Sequence, residues 1–356
     1  MLSVEPLGKR VMGMFEKAVA SVAALFLATS GASATEDVAS FYKGKTIRLV
    51  VGAAAGGGYD AYARLIARFM PKYIPGNPTI VPSNMPGGGG NIAATFIYSV
   101  APKDGTAFAA ILPGTITDQL LQNRENARYD PTKLIYLGSA NSEVNMCYVR
   151  TDTGITSLRD LQSQEVIIGA STEGGSTRDQ PTVQKNLIGS KFKIVTGYPG
   201  TREIFLAIEK NEVSGICGIG LPSFMTLRPT WLKDGFMRII SQDNAKGDPK
   251  ITAAGVPLTV EFAKTPQDRQ VMELIYSQQN FGRPYILPPG VPDDKVAALR
   301  EAFMRTLEDQ ELLASAEAMK LDISPVSGAA LQKQIQDSYS MPGEIIERAR
   351  KALSAQ

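Results

Sequence analysis

The sequence predicts an α/β fold with two lobes, each built on a doubly wound sheet. Five times in the 356 residues a short apolar run ends in a glycine-rich loop, and a helical pattern then begins. These loops cover residues 52–60, 84–91, 169–177, 196–201 and 218–223. Because the loops fall into two groups along the chain, we expect two facing lobes with a cleft between them.

The two halves of the chain repeat one alternation of strands and helices. In the first half, strand-like runs at 46–51, 79–81, 107–112 and 134–137 alternate with helical patterns at 59–71 and 91–100. A new run starts at 146–149, and strands at 166–168, 192–195, 215–217 and 237–240 then alternate with helices at 178–187, 202–210 and 222–232. The sequence therefore predicts the same motif twice.

The pattern changes after residue 275. A strand at 281–287 ends in a rigid proline turn, and helices follow at 295–307, 310–319 and 328–335. Because these helices have no sheet of their own, we expect them to pack on the first lobe. The predicted domains are a discontinuous first lobe, 35–142 and 258–356, and a second lobe, 143–257. Two crossings near 139–144 and 263–281 would form the hinge.

The amino-terminal residues 1–34 have the pattern of a secretory signal peptide. Lys9, Arg10 and Lys17 supply positive charge, residues 18–28 are apolar, and Ala34 ends a small-residue cleavage site. The apolar run is shorter than the roughly 20 residues that a membrane anchor needs. We expect export to the periplasm with cleavage near Ala34. The true start methionine stays open.

Composition narrows the chemistry. The chain has no histidine, which excludes Ser-His-Asp and Cys-His centres and imidazole metal sites. The formal charge of +2 at pH 7 indicates neither nucleic acid nor an anionic membrane surface as a partner. We expect a monomer without catalytic residues, cofactor or metal.

Two cysteines, Cys147 and Cys217, both fall in predicted strands of the second lobe. A periplasmic disulfide would close the loop between them, whereas two buried thiols would behave as small hydrophobic residues. The sequence favours the buried thiols and leaves the disulfide open.

Glycine loops ahead of helices predict a site for a small anion. Glycine lets the backbone approach a ligand closely, and the first N–H groups of a helix have no intrahelical acceptor. In the second lobe, we expect the hydroxyls of Ser176 and Thr177, with the helix that starts beside them, to donate to the anion. Asp60 either caps the first helix or contacts the ligand. Tyr59 and Tyr198 are either cleft residues or surface residues, and their flanking glycines favour the cleft.

The same loops carry a resemblance to a known family. Three segments are similar to the two signature loops, with the strand before them, of the tripartite tricarboxylate transporter receptors, also called the Bug family. They are residues 47–51 (IRLVV), residues 56–64 with their paired glycines, Asp60, Ala63 and Arg64, and residues 84–92 (NMPGGGGNI). Further matches are residues 102–106 (PKDGT), 197–200 (GYPG) and 289–292 (PGVP). The resemblance therefore covers nearly all of the chain after the leader.

The resemblance implies a periplasmic-binding-protein-like fold of type II and an extracytoplasmic receptor. Such a receptor captures a small organic carboxylate and delivers it to the large and small subunits of a membrane permease. A carboxylate site built from backbone groups accepts a dicarboxylate, a tricarboxylate, an aromatic acid or an amino acid, and the identity of the ligand stays open.

The resemblance also implies which residues bind. The first-lobe loops would hold a carboxylate through backbone N–H groups, and the second lobe would close over the other end. The candidate residues are Gly57, Gly58, Tyr59, Asp60, Gly88, Gly89, Gly90 and Asn91 in the first lobe, and Ser171, Thr172, Gly175, Ser176, Thr177, Arg178, Tyr198, Pro199, Gly200 and Gly220 in the second. Glu173 departs from the family pattern, so it either turns outward or meets a donor or cation on the ligand. Arg178 and Arg202 are either partners for a second carboxylate or solvated residues.

Two other functions stay open. The same fold could serve as the ligand-sensing partner of a membrane sensor kinase, and the sequence does not separate sensing from transport. A dinucleotide-dependent enzyme is the other alternative, because residues 88–93 fit GxGxxA between a strand and a helix. However, no acidic residue ends the next strand, where a ribose partner is expected.

Overall fold

Two mixed sheets form the framework of the chain. The computed structural model describes residues 37–122, 128–171 and 175–354. Residues 38–356 belong to one compact unit, and the predicted leader lies outside the described residues. No helix in these ranges combines the length with the apolar character that a membrane crossing requires.

The first sheet has six strands. They are β1 (Thr46–Val51), β2 (Thr79–Asn84), β3 (Ala107–Ala110), β4 (Ile135–Ser139), β10 (Pro284–Leu287) and β11 (Val326–Ser327), in the order β11-β4-β10-β3-β1-β2. β1 runs parallel to β2 and β3. β10 is antiparallel to β3 and β4, so the strand that returns late in the sequence lies inside the sheet.

The second sheet has five strands. They are β5 (Asn145–Arg150), β6 (Val166–Gly169), β7 (Phe192–Val195), β8 (Gly215–Gly220) and β9 (Met237–Asp243), in the order β7-β6-β8-β5-β9. β6 runs parallel to β7 and β8, whereas β5 is antiparallel to β8 and β9. In each sheet the strand that follows a crossing, β5 or β10, is thus antiparallel to its neighbours.

Helices connect these strands. They are Val38–Tyr42, Gly58–Phe69, Asn91–Ser99, Pro113–Leu121, Ser176–Val183, Thr201–Glu209, Leu221–Leu227, Pro249–Ala253, Pro266–Tyr276, Asp293–Leu307, Gln310–Ala318, Gly328–Tyr339 and Gly343–Leu353. Short 3₁₀ turns include Gly88–Gly90 and Ser277–Phe281. Phe281, which was predicted to begin a strand, therefore ends a turn instead, and β10 starts three residues later.

The helix Gly58–Phe69 shows how the sequence places these elements. Its apolar residues recur at the predicted helical spacing, so Tyr62 and Ile66 enter the core of the first sheet. Leu65 and Phe69 lie on an adjacent face and pack against the helix Gln310–Ala318. Both faces are buried, and this helix fixes the loop that precedes it.

The chain passes between the sheets twice. The first crossing joins β4 to β5 over residues 140–144, and the second lies between β9 and β10. Gln279 connects them: its carbonyl accepts from Glu143 N–H at 2.9 Å, its Oε1 accepts from Asn145 N–H at 2.6 Å, and its Nε2 donates to the carbonyl of Asp243. The predicted lobe boundaries stay a prediction, because residues 38–356 form one unit.

The carboxyl-terminal helices pack largely as predicted. Asp293–Leu307 contributes Leu299 and Phe303 to the first-sheet core, and Gly328–Tyr339 contributes Leu331 to its other face. The last helix, Gly343–Leu353, was not predicted, and its Ile345 and Ala349 join a core that includes Cys147 of the second sheet. This helix therefore belongs to the junction between the two sheets.

A disulfide joins Cys147 of β5 to Cys217 of β8, with the two Cα atoms 3.9 Å apart. The sequence had favoured two separate thiols. The antiparallel pairing of β5 with β8 explains the difference, because it places residues 70 positions apart in the sequence side by side.

Candidate functional site

A cavity of about 780 Å³ lies where the glycine loops of both sheets meet the two crossings. From the first-sheet side it is lined by Tyr59, Gly89, Leu112, Pro113, Gly114 and Asp118, and from the second-sheet side by Gly175, Ser176, Thr177, Asp179, Gln180, Thr201, Gly218, Ile219, Gly220, Ser223 and Leu227. The crossings and adjacent residues add Glu143, Asn145, Ile275, Gln278, Gln279, Gly282 and Arg283. The size suits a small organic molecule.

Asp60 holds the first glycine loop together. Its carboxylate accepts hydrogen bonds from Gly56 N–H at 2.8 Å, from Arg64 Nε at 2.9 Å and from Asn84 Nδ2 at 2.9 Å. The bond from Arg64 is the main cause that lowers the pKa of Asp60 to about 2, and those from Gly56 and Asn84 add to it. Asp60 is buried and does not line the cavity. Its hydrogen bonds to Gly56 and Asn84 connect the first loop to β2.

The second glycine loop has an unusual backbone. Gly87, Gly88, Gly89 and Gly90 have φ values of 125°, 57°, 65° and 96°, in the region that favours glycine. Asn91 then starts a helix, and its Nδ2 donates to the carbonyl of Gly88 at 2.8 Å. Gly89 lines the cavity, whereas Asn91 is buried behind the loop.

The second-sheet loops bond to each other. Ser176 Oγ donates to the carbonyl of Gly218 at 2.7 Å, and Thr177 Oγ1 lies 2.7 Å from Ser171 Oγ and accepts from Ser171 N–H. The two hydroxyls expected to donate to an anion are therefore engaged within the protein. The N–H groups of Arg178 and Asp179 both donate to the carbonyl of Gly175.

Arg283 brings a positive charge to the cavity. Its guanidinium lies over two rings, 4.3 Å from the centre of Tyr59 and 5.0 Å from the centre of Tyr62. Nη1 donates to the carbonyl of Gly282 at 2.8 Å, and Nε has no acceptor among the described residues. Burial raises the pKa of Tyr59, although the charge of Arg283 opposes this shift.

Glu143 brings a negative charge from the first crossing. Burial raises the pKa of its carboxyl, with the charge of Arg283 acting in the opposite direction. The carboxylate lies against the end of β8, because a Cβ added to Gly220 would be 2.9 Å from Glu143 Oε2. Arg283 and Glu143 thus face the cavity from different elements.

The structure brings some of the sequence-predicted site residues together. Tyr59, Gly89, Gly175, Ser176, Thr177 and Gly220 line the cavity. The lining does not include Gly57, Gly58, Asp60, Gly88, Gly90, Asn91, Ser171, Tyr198, Pro199 or Gly200. Thr172 and Glu173 lie outside the described residues. The part that each residue plays in binding stays a prediction.

Two predicted basic residues are placed elsewhere. Arg178 is buried, its Nη1 donates to the carbonyl of Leu353, and the same atom lies 3.1 Å from Asp179 Oδ1. Arg178 therefore ties the last helix to the second sheet instead of facing the cavity. Arg202 is exposed and does not line the cavity.

Sequence reasoning missed Arg283, Glu143 and Gln279. These residues belong to the crossings or directly adjoin them, and no local glycine motif marks them. One signal was present: the first predicted crossing contains Glu143, and Arg283 follows the second by two residues. Charged residues at predicted crossings are candidates for ligand binding, because the crossings between two lobes lie at the bottom of the cleft.

The fold is similar to that of solved solute-binding proteins. Similar solved structures include a TctC solute-binding protein from Polaromonas, with 16% identity, a TM-score of 0.67 and coverage of 86% of this chain and 99% of that one. MatC from Rhodopseudomonas palustris with bound malate has 20% identity and a TM-score of 0.56, and the match covers 87% of this chain and 99% of MatC. A protein of the same organism with adipate has 22% identity and a TM-score of 0.58, and the match covers 86% of this chain and 97% of that one. The fold expected from the sequence resemblance is confirmed.

Comparisons of the sequence itself add nothing to this likeness. No family model matches the chain. No curated protein matches it either.

Proposed function

We propose that this protein is an extracytoplasmic receptor that binds a small organic carboxylate in the cavity between its two sheets. The observation that carries the proposal is the Arg283 guanidinium, which faces a cavity built from glycine loops and has no carboxylate partner among the described residues. A guanidinium is the side chain best suited to hold a carboxylate through two parallel hydrogen bonds. The amides of the glycine loops would complete the grip.

Proteins of similar fold support this ligand class. The Rhodopseudomonas palustris structures hold malate and adipate, both of which are organic carboxylates. These proteins are only 20% and 22% identical to this chain, so their ligands do not specify the ligand of this protein. Its choice of carboxylate depends on the residues that line its own cavity. Delivery of the ligand to the large and small subunits of a tripartite permease, and export through the leader at 1–34, complete the proposal.

Binding without turnover is part of the proposal. The chain has no histidine, and the described residues contain no group of three or more side chains suited to hold a metal ion. Incubation with a bound carboxylate should return that carboxylate chemically unchanged. A product that accumulates in proportion to protein concentration would contradict a receptor function.

Calorimetric titration of the mature chain against organic acids tests the proposal directly. A ligand that binds the folded state alone stabilises it by RT ln(1 + [L]/Kd), about 2.7 kcal/mol at a hundredfold excess over Kd. The same acids should therefore raise the melting temperature in the order of their affinity. If mono-, di- and tricarboxylates, aromatic acids and amino acids all leave both signals unchanged, the proposed function is wrong.

Closure of the two lobes around the ligand would explain why the cavity draws on both sheets. A ligand shifts such an equilibrium only through its differential affinity for the closed form. Small-angle scattering should show a smaller radius of gyration when a binding carboxylate is added. An unchanged profile with a confirmed tight ligand would mean that the cleft does not close on binding.

A further inference from the structure

The cavity contains a cation and a carboxylate that do not pair with each other. Arg283 is the one basic side chain among the described residues that line it. Glu143 lines the same cavity, and no donor among the described residues hydrogen-bonds its carboxylate. Opposite charges in one partly buried space attract strongly, so their separation needs a structural cause.

Each group is held in place by its own surroundings. Arg283 stacks on Tyr59 and Tyr62 on the first-sheet side, and its Nη1 is bonded to the carbonyl of Gly282. Glu143 lies against Gly220 at the end of β8, on the second-sheet side. Because both groups line one cavity, a ligand bound there can meet both.

A second carboxylate on the ligand would find little support. Besides Glu143, the described lining contains Asp118 and Asp179, and it has no basic side chain other than Arg283. The positive charge of Arg178 is already paired with Asp179, so Arg178 does not offer a free cation to a second carboxylate. A ligand with two negative ends would place one of them near Glu143, where like charges repel.

We propose that the ligand is an amino carboxylate, whose carboxylate meets Arg283 and whose ammonium group meets Glu143. This inference rests on the proposed function and specifies its substrate class. The zwitterion satisfies both cavity charges, whereas a dicarboxylate satisfies one and repels the other. A simple monocarboxylate satisfies Arg283 and leaves Glu143 without a donor, which costs affinity because the group stays desolvated.

Matched five-carbon probes separate these cases by calorimetry. Glutarate, pentanoate, 2-aminopentanoate and 5-aminopentanoate share a chain length and differ in the group that accompanies the carboxylate. Corresponding sets of four and six carbons cover other spans. In the unmodified protein, the best amino carboxylate should bind at least tenfold more tightly than the dicarboxylate and the monocarboxylate of its set.

The variant Glu143→Gln tests the residue. It keeps the shape of the side chain and removes its charge, so the preference for the amino carboxylate over the dicarboxylate should fall at least tenfold. Pentanoate should bind the variant at least as tightly as it binds the unmodified protein, because the uncompensated charge is gone. Glu165→Gln, which neutralises an exposed carboxylate outside the cavity, should leave every ratio unchanged. Equal melting temperatures without ligand would show that both variants are folded.

Three results would overturn the inference. Tighter binding of the dicarboxylate by the unmodified protein would exclude the amino carboxylate, and an unchanged ratio in Glu143→Gln would remove Glu143 from recognition. In both cases carboxylate binding itself survives. Failure of every probe to bind would also overturn the inference, and it would contradict the proposed function as well if tricarboxylates and aromatic acids failed too.

Discussion

The guanidinium of Arg283 lies 4.3 Å from the centre of the Tyr59 ring. Tyr59 belongs to the first glycine loop, whereas Arg283 adjoins the second crossing, more than two hundred positions later in the sequence. The aromatic face attracts the cation and holds it in one orientation without neutralising its charge. The pair therefore presents a fixed positive group to the cavity.

Replacement of Arg283 should weaken carboxylate binding more than it weakens the fold. Arg283→Gln removes a charge-assisted contact of about 1.5–3 kcal/mol, which corresponds to roughly tenfold to a hundredfold in Kd. Arg283→Lys keeps the charge and loses the planar guanidinium, so its affinity should lie between those of the unmodified protein and Arg283→Gln. Arg202→Gln is the matched control, because Arg202 is exposed and outside the cavity lining. Equal losses of affinity in Arg283→Gln and Arg202→Gln would assign the effect to overall charge.

Alanine at Gly58 and at Gly89 should have different effects. A Cβ on Gly58 would have Arg283 Nη2 as its nearest atom, at an ordinary contact distance of 4.0 Å, so Gly58→Ala should fold normally and keep its affinity. Gly89 lines the cavity with a φ of 65°, so Gly89→Ala should bind more weakly and lose about 1–2 kcal/mol of unfolding free energy. Urea unfolding and calorimetric titration measure the two effects separately. Normal affinity in both variants would limit these glycines to turn geometry.

Loss of the Ser176 hydroxyl should reduce stability in the absence of ligand. Ser176→Ala removes the hydrogen bond to Gly218 and should cost about 1 kcal/mol of unfolding free energy. Ser223→Ala is a useful control, since Ser223 lines the cavity but is exposed. If Ser176→Ala keeps its stability and loses affinity, the hydroxyl binds ligand, as the glycine-loop pattern of the sequence predicts.

Asp243 should make stability depend on pH. Burial raises its pKa to about 7, although Thr259 and Gln184 donate hydrogen bonds to Oδ1. In the unfolded chain the carboxyl ionises near pH 4, whereas in the folded protein it stays protonated up to about pH 7. The unfolding free energy should therefore fall as pH rises through this window, by about 3 kcal/mol between pH 5 and pH 8.

The variant Asp243→Asn should remove most of that slope. Its stability relative to the unmodified protein should rise from pH 5 to pH 8, as measured by urea unfolding at each pH. Asp234→Asn, an exposed carboxylate, should keep the original slope. A slope that persists unchanged in Asp243→Asn would assign the pH dependence to another group.

The glycine loops could be located from the sequence because their chemistry is local. A run of glycines between a strand and a helix specifies a turn, whatever the rest of the chain does, so Tyr59 and Gly89 were found as candidates. The fold class followed from the same repeated alternation. The antiparallel setting of β5 and β10 was not predicted, because it depends on how the chain returns from one sheet to the other.

The charged residues of the cavity could not be selected in this way. Glu143 and Arg283 come to line one cavity through tertiary structure alone, and neither lies in a recognisable sequence motif. Conversely, Arg178 follows a glycine loop and was a reasonable candidate, but the last helix supplies Leu353 as its acceptor. Local pattern predicts loop geometry, whereas side-chain direction depends on partners that are distant in the sequence.

Gln279 also constrains the motion that the chain can make. Its three hydrogen bonds reach Glu143, Asn145 and Asp243, so the two crossings are connected at one level. If these bonds persist, the crossings cannot slide past each other at this position, and relative movement of the sheets is limited to rotation about the neighbourhood of Gln279. Glu143 and Gln279 both line the cavity, so a molecule bound there contacts the pivot region itself.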